Sequence, residues 1–148
     1  MPAVSVWDRA RTIALQLGVW ASLSIVVGGL LFALGGPFGR AVGIQFVIWG
    51  AVDLAIAGVG QRDRRRKLRA GAAEDARATR AEARRLRRLL WINAGLDVLY
   101  VAVGAGLVAF GPGPVVDGHG LGVLVQGGFL LVFDVAHAAT LSPPDAPD

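Results

Sequence analysis

The chain has 148 residues and is 54% hydrophobic, and only 18% of its residues are charged, against about a quarter in a soluble globular domain. It contains no cysteine, which excludes disulfides, thiolate metal sites and thiol nucleophiles. The net charge of +4 would favour nucleic-acid binding if it were spread over a surface, but the basic residues are concentrated in one segment.

Four apolar segments are each long enough to cross a bilayer, which takes about 20 mostly apolar residues. They run from about 13–34, 41–60, 89–110 and 121–141. A turn rich in glycine and proline at 35–39 joins the first two, and the stretch 111–120 forms an external loop between the last two. We therefore predict an all-α fold, a four-helix transmembrane bundle in a single membrane domain (1–148), with a disordered tail at 142–148.

The basic residues predict the orientation of this bundle. The segment 61–88, between the second and third spans, holds twelve of the fifteen Lys and Arg residues. Arg9 and Arg11 precede the first span, and only Arg40 lies on the opposite side. The positive-inside rule then places both termini and the segment 61–88 in the cytoplasm. The first apolar segment exceeds the ~7–15 residues of a signal-peptide core, so we predict an uncleaved span.

The basic cytoplasmic loop 61–88 has two functional interpretations besides that of a topological anchor. It can contact anionic lipid headgroups, or it can form a docking surface for a protein partner; nucleic acid is not predicted as a partner. The Ala, Arg and Leu content of residues 70–90 predicts a helical extension of the third span. The arginines expected to contact headgroups or a partner are Arg64, Arg65, Arg66, Arg84, Arg85, Arg87 and Arg88.

The two halves of the chain have similar patterns, which favours two tandem helical hairpins. The segment that begins at Gly28 matches the segment that begins at Gly104, and Gln45 with Asp53 matches Gln126 with Asp134 at equal spacing. Because both halves would insert the same way round, such repeats would be parallel and related by an axis along the membrane normal.

Three aspartates lie inside the predicted spans at about the same depth. Asp53, Asp97 and Asp134 each fall nearer the basic side, in three different apolar segments. A carboxylate in hydrocarbon costs about 2.5–3.5 kcal/mol on insertion scales. Three of them at one level therefore indicate a common site in the bundle interior.

Helical spacing places further polar residues on the same faces as the aspartates. The first span carries Gln16, Trp20 and Ser24; the second Gln45, Trp49 and Asp53; the third Asn93, Asp97 and Tyr100; and the fourth Gln126, Asp134 and His137. Two interpretations compete for them. They can hold the helices together by hydrogen bonds, or they can form a site that carries protons or binds a ligand.

Other chemistries have weaker support. Zinc-ligand spacing is absent, no glycine-rich phosphate loop follows a strand, and a Ser/His/Asp triad has no support beyond residue type. We predict no metal and no cofactor, and an enzyme is less favoured than a binding protein. His119 falls in the external loop and is expected to be exposed.

Two segments resemble a bacterial family of four-span integral membrane proteins of unknown function. They are residues 91–100 (WINAGLDVLY) and 125–134 (VQGGFLLVFD), and residues 49–54 (WGAVDL) fit less closely. The resemblance implies membrane location and four spans, and it implies no activity. With the charge bias, it predicts the bacterial cytoplasmic (inner) membrane with both termini cytoplasmic.

The leading functional prediction is a binding or permeation unit for protons, cations or a small polar or amine-bearing molecule. Its central charges are Asp97 and Asp134. The residues expected to line the site are Asn93, Tyr100, His137, Gln126, Gln45 and Asp53. With only four helices, a transporter of this kind would need to form a homodimer. The alternative is a structural or accessory membrane protein that scaffolds a partner through loop 61–88.

Overall fold

The computed structural model describes residues 5–141, which form four helices in chain order. The helices are α1 (Val6–Leu34), α2 (Pro37–Arg69), α3 (Ala76–Phe110) and α4 (Pro114–Thr140). All four are long and apolar enough to cross a membrane. The prediction of an all-α four-helix fold is confirmed, and the predicted tail at 142–148 lies outside the described residues.

The helices begin and end where the local sequence favours it. The Ser5 hydroxyl accepts a hydrogen bond from the Asp8 backbone N–H, and the Asp75 carboxylate accepts one from that of Arg77, so both residues act as N-caps. Pro37 and Pro114 occupy first turns, where the missing N–H is not needed. Gly113 precedes Pro114 with φ of 146°, a conformation that favours glycine.

The connections are shorter than the sequence predicted. The stretch 111–120 was expected to be an external loop, but α4 already begins at Pro114, and His119 lies within that helix. The basic segment 61–88 is also mostly helical, because α2 continues to Arg69 and α3 begins at Ala76. We call this end of the bundle the basic end, and the end at the turns 35–36 and 111–113 the turn end.

Glycines let the backbones approach closely within each hairpin. A Cβ added to Gly28 in α1 would lie 2.8 Å from the Gly43 carbonyl oxygen and 2.9 Å from the Val47 nitrogen in α2. In the second hairpin, a Cβ on Gly104 would lie 2.8 Å from the Gly120 carbonyl oxygen and 2.6 Å from the Leu124 nitrogen. Small residues at such contacts are a common basis of helix association in membranes.

These contacts repeat with a nearly constant spacing, which agrees with the predicted match of Gly28 with Gly104 and differs from the predicted match in the second helix of each hairpin. Gly28 and Gly104 are 76 residues apart, and their partners Gly43 and Gly120 are 77 residues apart. The sequence comparison instead paired Asp53 with Asp134, which are 81 residues apart. By its packing, Asp134 is therefore one helical turn away from the equivalent of Asp53.

The two hairpins meet mainly along α2 and α4, while α1 and α3 touch little. Gly118 and Gly122 of α4 lie directly against α2, where added Cβ atoms would be 2.5 Å from the Phe38 carbonyl oxygen and the Gln45 Cβ. This arrangement puts the buried face of α4, which carries Asp134, at the centre of the bundle.

At the basic end, four charged side chains join α2 to α3. Lys67 lies 2.8 Å from Asp63 and 2.6 Å from Glu82, and Arg85 lies 2.8 Å from Asp63 and 3.7 Å from Glu82. Hydrogen bonds from Lys67 and Arg85 lower the pKa of the Asp63 carboxyl below its usual value. At pH values above the ordinary range of a carboxyl pKa, the cluster therefore keeps its charges and stabilises the contact between α2 and α3. It loses both as the pH falls through the lowered pKa of Asp63.

Asp63→Asn is expected to loosen the contact between α2 and α3 at the basic end, because it removes the carboxylate that both cations share. We expect amide hydrogen exchange in residues 61–69 and 77–85 to become about threefold faster, the modest effect typical of partly exposed ion pairs. Glu74→Gln, an exposed substitution outside the cluster, is the control. Equal exchange rates in the two variants would contradict a role for the cluster in holding the helices together.

Candidate functional site

Three buried carboxylates from three different helices line one cavity. Asp53 of α2 is 2% exposed, Asp97 of α3 is 3% exposed and Asp134 of α4 is 6% exposed. The cavity that they share has a volume of about 220 Å³. The carboxyl groups of Asp97 and Asp134 are close enough to interact electrostatically, and Asp53 is close enough to interact in this way with both. The structure thus brings the three aspartates together at one level.

Within the described residues, two of these carboxylates, those of Asp53 and Asp97, have an oxygen without a hydrogen-bond partner. The Oδ2 atoms of Asp53 and Asp97 are buried and accept no hydrogen bond from any residue between 5 and 141. Most buried polar atoms in folded proteins have a partner. Two carboxylates this close also repel each other unless a proton or another cation lies between them. Asp53 and Asp97 therefore each keep one carboxylate oxygen without a partner among residues 5–141.

Aromatic rings form the wall of the cavity towards the turn end. Trp49 lies one helical turn from Asp53, and Tyr100 lies about one turn from Asp97. The two rings meet edge to face with their centroids 4.8 Å apart, and both line the cavity. This wall separates the carboxylates from the polar residues that lie nearer the turn end.

Beyond the aromatic wall, a buried hydrogen-bond network joins α4 to α1. Gln126 is fully buried; its Oε1 accepts from the Trp20 indole at 2.9 Å, and its Nε2 donates to the Ser24 hydroxyl at 3.1 Å. The Trp20 ring stacks on Phe129 with centroids 3.7 Å apart. Because its polar groups are paired with each other, this network acts as a structural contact between the helices.

Towards the basic end, the carboxylate cavity adjoins a larger one of about 390 Å³. The two cavities share Leu17, Ile56, Asn93 and Asp134 in their walls. The outer part of the larger cavity is lined by charged side chains, namely Asp63, Arg64, Glu82 and Arg85. Together the two adjoining cavities extend from the basic end to the three aspartates, and we call them the passage.

Comparison with known proteins places these residues in a family. Residues 16–135 match the model of a family of unknown function (DUF6992). The chain belongs to the DUF6992 family. No curated protein and no solved structure matches the chain. All three aspartates of this DUF6992 protein lie in the matched region.

The remaining predicted site residues of the DUF6992 chain lie in different places. Asn93 and Tyr100 line the carboxylate cavity. Gln126 lies in the network with Trp20 and Ser24. Gln45 makes a hydrogen bond of 3.0 Å with Nδ1 of His119 near the turn end. His137 contacts Gln16 through its Nε2 at 2.9 Å and lies against Phe133, outside the walls of both cavities.

The arginines proposed as lipid or partner contacts differ in their surroundings and in their exposure. Arg64 and Arg85 line the larger cavity, and Arg64 also donates from its Nε to the Trp7 carbonyl oxygen at 2.7 Å. Arg87 is half-buried. The exposed members are Arg65, Arg66, Arg84 and Arg88, as well as Arg85.

The sequence analysis did not identify the apolar residues that line the carboxylate cavity or the acidic residues that line the outer part of the larger cavity. Leu17, Ile56 and Leu130 carry no chemical signal that distinguishes a cavity wall from ordinary packing. Asp63 could have been found from its spacing of four residues before Lys67, which suits an ion pair on a helix. Among residues 5–141, no group of three or more His, Cys, Asp or Glu side chains is arranged to hold a metal ion.

Proposed function

We propose that this protein is a membrane-embedded binding or permeation unit for a small amine-bearing cation or for protons. The observation that carries the proposal is the passage from the basic end to the cavity of Asp53, Asp97 and Asp134. The ligand enters by this passage and is held by the carboxylates, with Asp97 and Asp134 as the central pair.

The charge of the cavity wall supports a cationic ligand. Eleven of the residues between 5 and 141 line the carboxylate cavity; three of these are aspartates, and none is Lys, Arg or His. The countercharge that stabilises these carboxylates in apolar surroundings must therefore come from a proton or from a bound cation. Intramembrane carboxylates that lack a basic partner are typical of ion and proton pathways.

The size and the aromatic wall of the cavity support an organic ligand. A volume of about 220 Å³ exceeds the ~30 Å³ that one water molecule occupies in the liquid. Trp49 and Tyr100 can attract an ammonium group by cation–π interaction. A small amine would thus contact a carboxylate with its charged group and the aromatic rings with its carbons.

The charge distribution supports a cytoplasmic position for the basic end. Because twelve of the fifteen Lys and Arg residues lie between positions 61 and 88, the positive-inside rule favours cytoplasmic termini in the bacterial inner membrane. The passage would then open to the cytoplasm and the aromatic wall would face outwards. Permeation across the whole membrane would require this aromatic wall to open. A homodimer would offer additional helix contacts for that opening.

The proposal is tested by measuring binding of propylammonium and of tetramethylammonium to the purified protein through its tryptophan fluorescence, since Trp49 lines the cavity. Asp97→Asn is expected to weaken binding at least tenfold, because it removes one of two charges that hold the ligand. Asp117→Asn is the control, since Asp117 lies in the first turn of α4, away from the cavity. Proton uptake by proteoliposomes under an imposed pH gradient tests the proton alternative.

If Asp97→Asn and Asp134→Asn left binding and proton flux unchanged while stability fell, the aspartates would be packing residues. The exposed arginines Arg65, Arg66, Arg84 and Arg88 support a scaffold function as the second candidate. That function predicts the opposite result: neutralising these arginines abolishes co-purification of a partner, and the aspartate variants keep it.

A further inference from the structure

A separate cleft lies between α1 and α4 at the basic end. It has a volume of about 350 Å³, and its polar lining consists of Arg9, Thr12, His137 and Thr140. The apolar part of its wall is formed by Ile13, Ala136 and Leu141. Among residues 5–141, no acidic residue lines this cleft. Its chemistry suits an anion that can accept hydrogen bonds from the Arg9 guanidinium and the Thr12 hydroxyl, whereas the Thr140 hydroxyl donates to the His137 carbonyl oxygen at 2.9 Å.

The cleft continues as an apolar groove towards the middle of the bundle. This groove has a volume of about 370 Å³ and shares Ala136 and His137 with the cleft. Its wall consists of Phe129, Val132, Phe133 and Ala136 together with Gln16 and His137. From Thr140 to Phe129 the helix rises by about 16 Å, so the two spaces form one elongated site that is polar at one end and apolar along the rest.

We propose that this α1–α4 groove is a specific binding site for an anionic glycerophospholipid. Arg9 binds the headgroup phosphate, Thr12 donates a hydrogen bond to it, and one acyl chain lies along Phe133 and Phe129. The hydrogen bond of 2.9 Å between His137 and Gln16 fixes the imidazole at the junction of the two parts. Arg9 lies at the same end as the twelve basic residues of 61–88, which is the level of the headgroups in a membrane.

A lipid fits this surface better than a free phosphate does because the polar cleft is open towards the apolar groove. Its apolar continuation would face water if a soluble anion occupied the cleft alone, whereas an acyl chain covers it. The groove also contacts the interior of the protein, since Phe129 stacks on Trp20 at 3.7 Å and Trp20 donates to Gln126. A bound acyl chain therefore supports the network that joins α1 to α4.

Native mass spectrometry of the full-length protein with dioleoylphosphatidylglycerol and with dioleoylphosphatidylcholine, which have the same chains, tests the proposal. We expect the anionic lipid to bind at least tenfold more tightly, and Arg9→Gln to remove about tenfold of that affinity. Arg9→Lys keeps the charge and is expected to restore part of it. Arg11→Gln is the control, because Arg11 is on the same helix and does not line the cleft.

A second variant tests the acyl-chain part of the site without changing charge. Ala136→Trp fills the junction between cleft and groove and is expected to abolish specific binding, whereas Ala139→Trp, also exposed on α4 but outside the groove, retains it. sn-Glycerol 3-phosphate is the soluble probe for the headgroup alone, and it is expected not to displace the lipid. Circular dichroism of each variant shows whether it is folded.

Three results would overturn the proposal. An equal loss in Arg9→Gln and Arg11→Gln would mean that the lipid responds only to net charge. Unchanged binding in Ala136→Trp would mean that no chain occupies the groove. Displacement of the lipid by sn-glycerol 3-phosphate would assign the cleft to a soluble phosphate.

Discussion

Gly104→Val is expected to prevent α3 and α4 from packing as a hairpin and to lower the free energy of unfolding by about 3 kcal/mol or more. A Cβ at this position would lie 2.6 Å from the Leu124 nitrogen and 2.8 Å from the Gly120 carbonyl oxygen. Both atoms belong to the backbone of α4, so no side chain can rotate to make room. The helices must separate, and every contact along their interface is weakened together.

The same substitution two residues away, on the opposite face of the helix, provides the control. Gly106 also lies in α3, but a Cβ there has no neighbour within 4 Å. Gly106→Val is therefore expected to change stability by less than about 1 kcal/mol, which is the scale of helix-propensity differences. Unfolding in mixed detergent micelles, followed by circular dichroism, compares the two. Similar midpoints for Gly104→Val and Gly106→Val would mean that the close contact between α3 and α4 does not limit stability.

The four helices could be predicted because apolar segments of about 20 residues are a strong signal. Their full lengths could not, because hydropathy reports only the apolar part of a helix. The extension of α2 to Arg69 depends on basic residues that favour helix and on the ion pairs of Asp63 and Lys67 with α3. α4 begins early because of Gly113 and Pro114. Their backbone conformational preferences favour a helix start at this point regardless of the hydropathy of the neighbouring residues.

The common level of Asp53, Asp97 and Asp134 could also be predicted, since depth follows from position along each span. The direction in which each side chain points around its helix axis was harder to predict. His137 follows Asp134 by three residues, or about 300° of rotation, so it points about 60° away from it. In this bundle that difference moves the imidazole from the carboxylate cavity to the α1–α4 groove. Periodicity alone does not say how each helix is rotated in the bundle.

The match between the two halves of the chain shows a similar limit of prediction from sequence. Matching residue types aligned Gln45 and Asp53 with Gln126 and Asp134. In the structure, the two hairpins are related instead by glycines that touch the backbone of the neighbouring helix. Gly50 lies against the Ala21 carbonyl oxygen, and Gly127 lies against the Asp97 carbonyl oxygen. Backbone contacts fix the register of two helices, whereas polar residues can shift by a turn and still reach the interior. As a result, Asp134 and Asp53 come from non-equivalent positions and converge on one cavity.

Ile56→Trp is expected to block access to the carboxylates and to weaken cation binding more than tenfold without changing any charged residue. Ile56 lies in the walls of both cavities, at the passage between the basic end and the aspartates. Its side chain is 53% exposed, so the larger indole can be accommodated without disturbing the core. The expected loss follows from filling a cavity of about 220 Å³ at its entrance, and it is measured with the same propylammonium titration.

Ile48→Trp is the matched control, since Ile48 is also 53% exposed on α2 but lies two turns nearer the turn end, outside both cavities. It is expected to bind propylammonium like the unchanged protein. The comparison separates entry from charge, because both variants keep Asp53, Asp97 and Asp134. If Ile56→Trp bound the cation as well as Ile48→Trp, the ligand would reach the aspartates by another route. If both lost binding equally, added bulk on the surface of α2 would explain the loss, and the proposed passage would have no support.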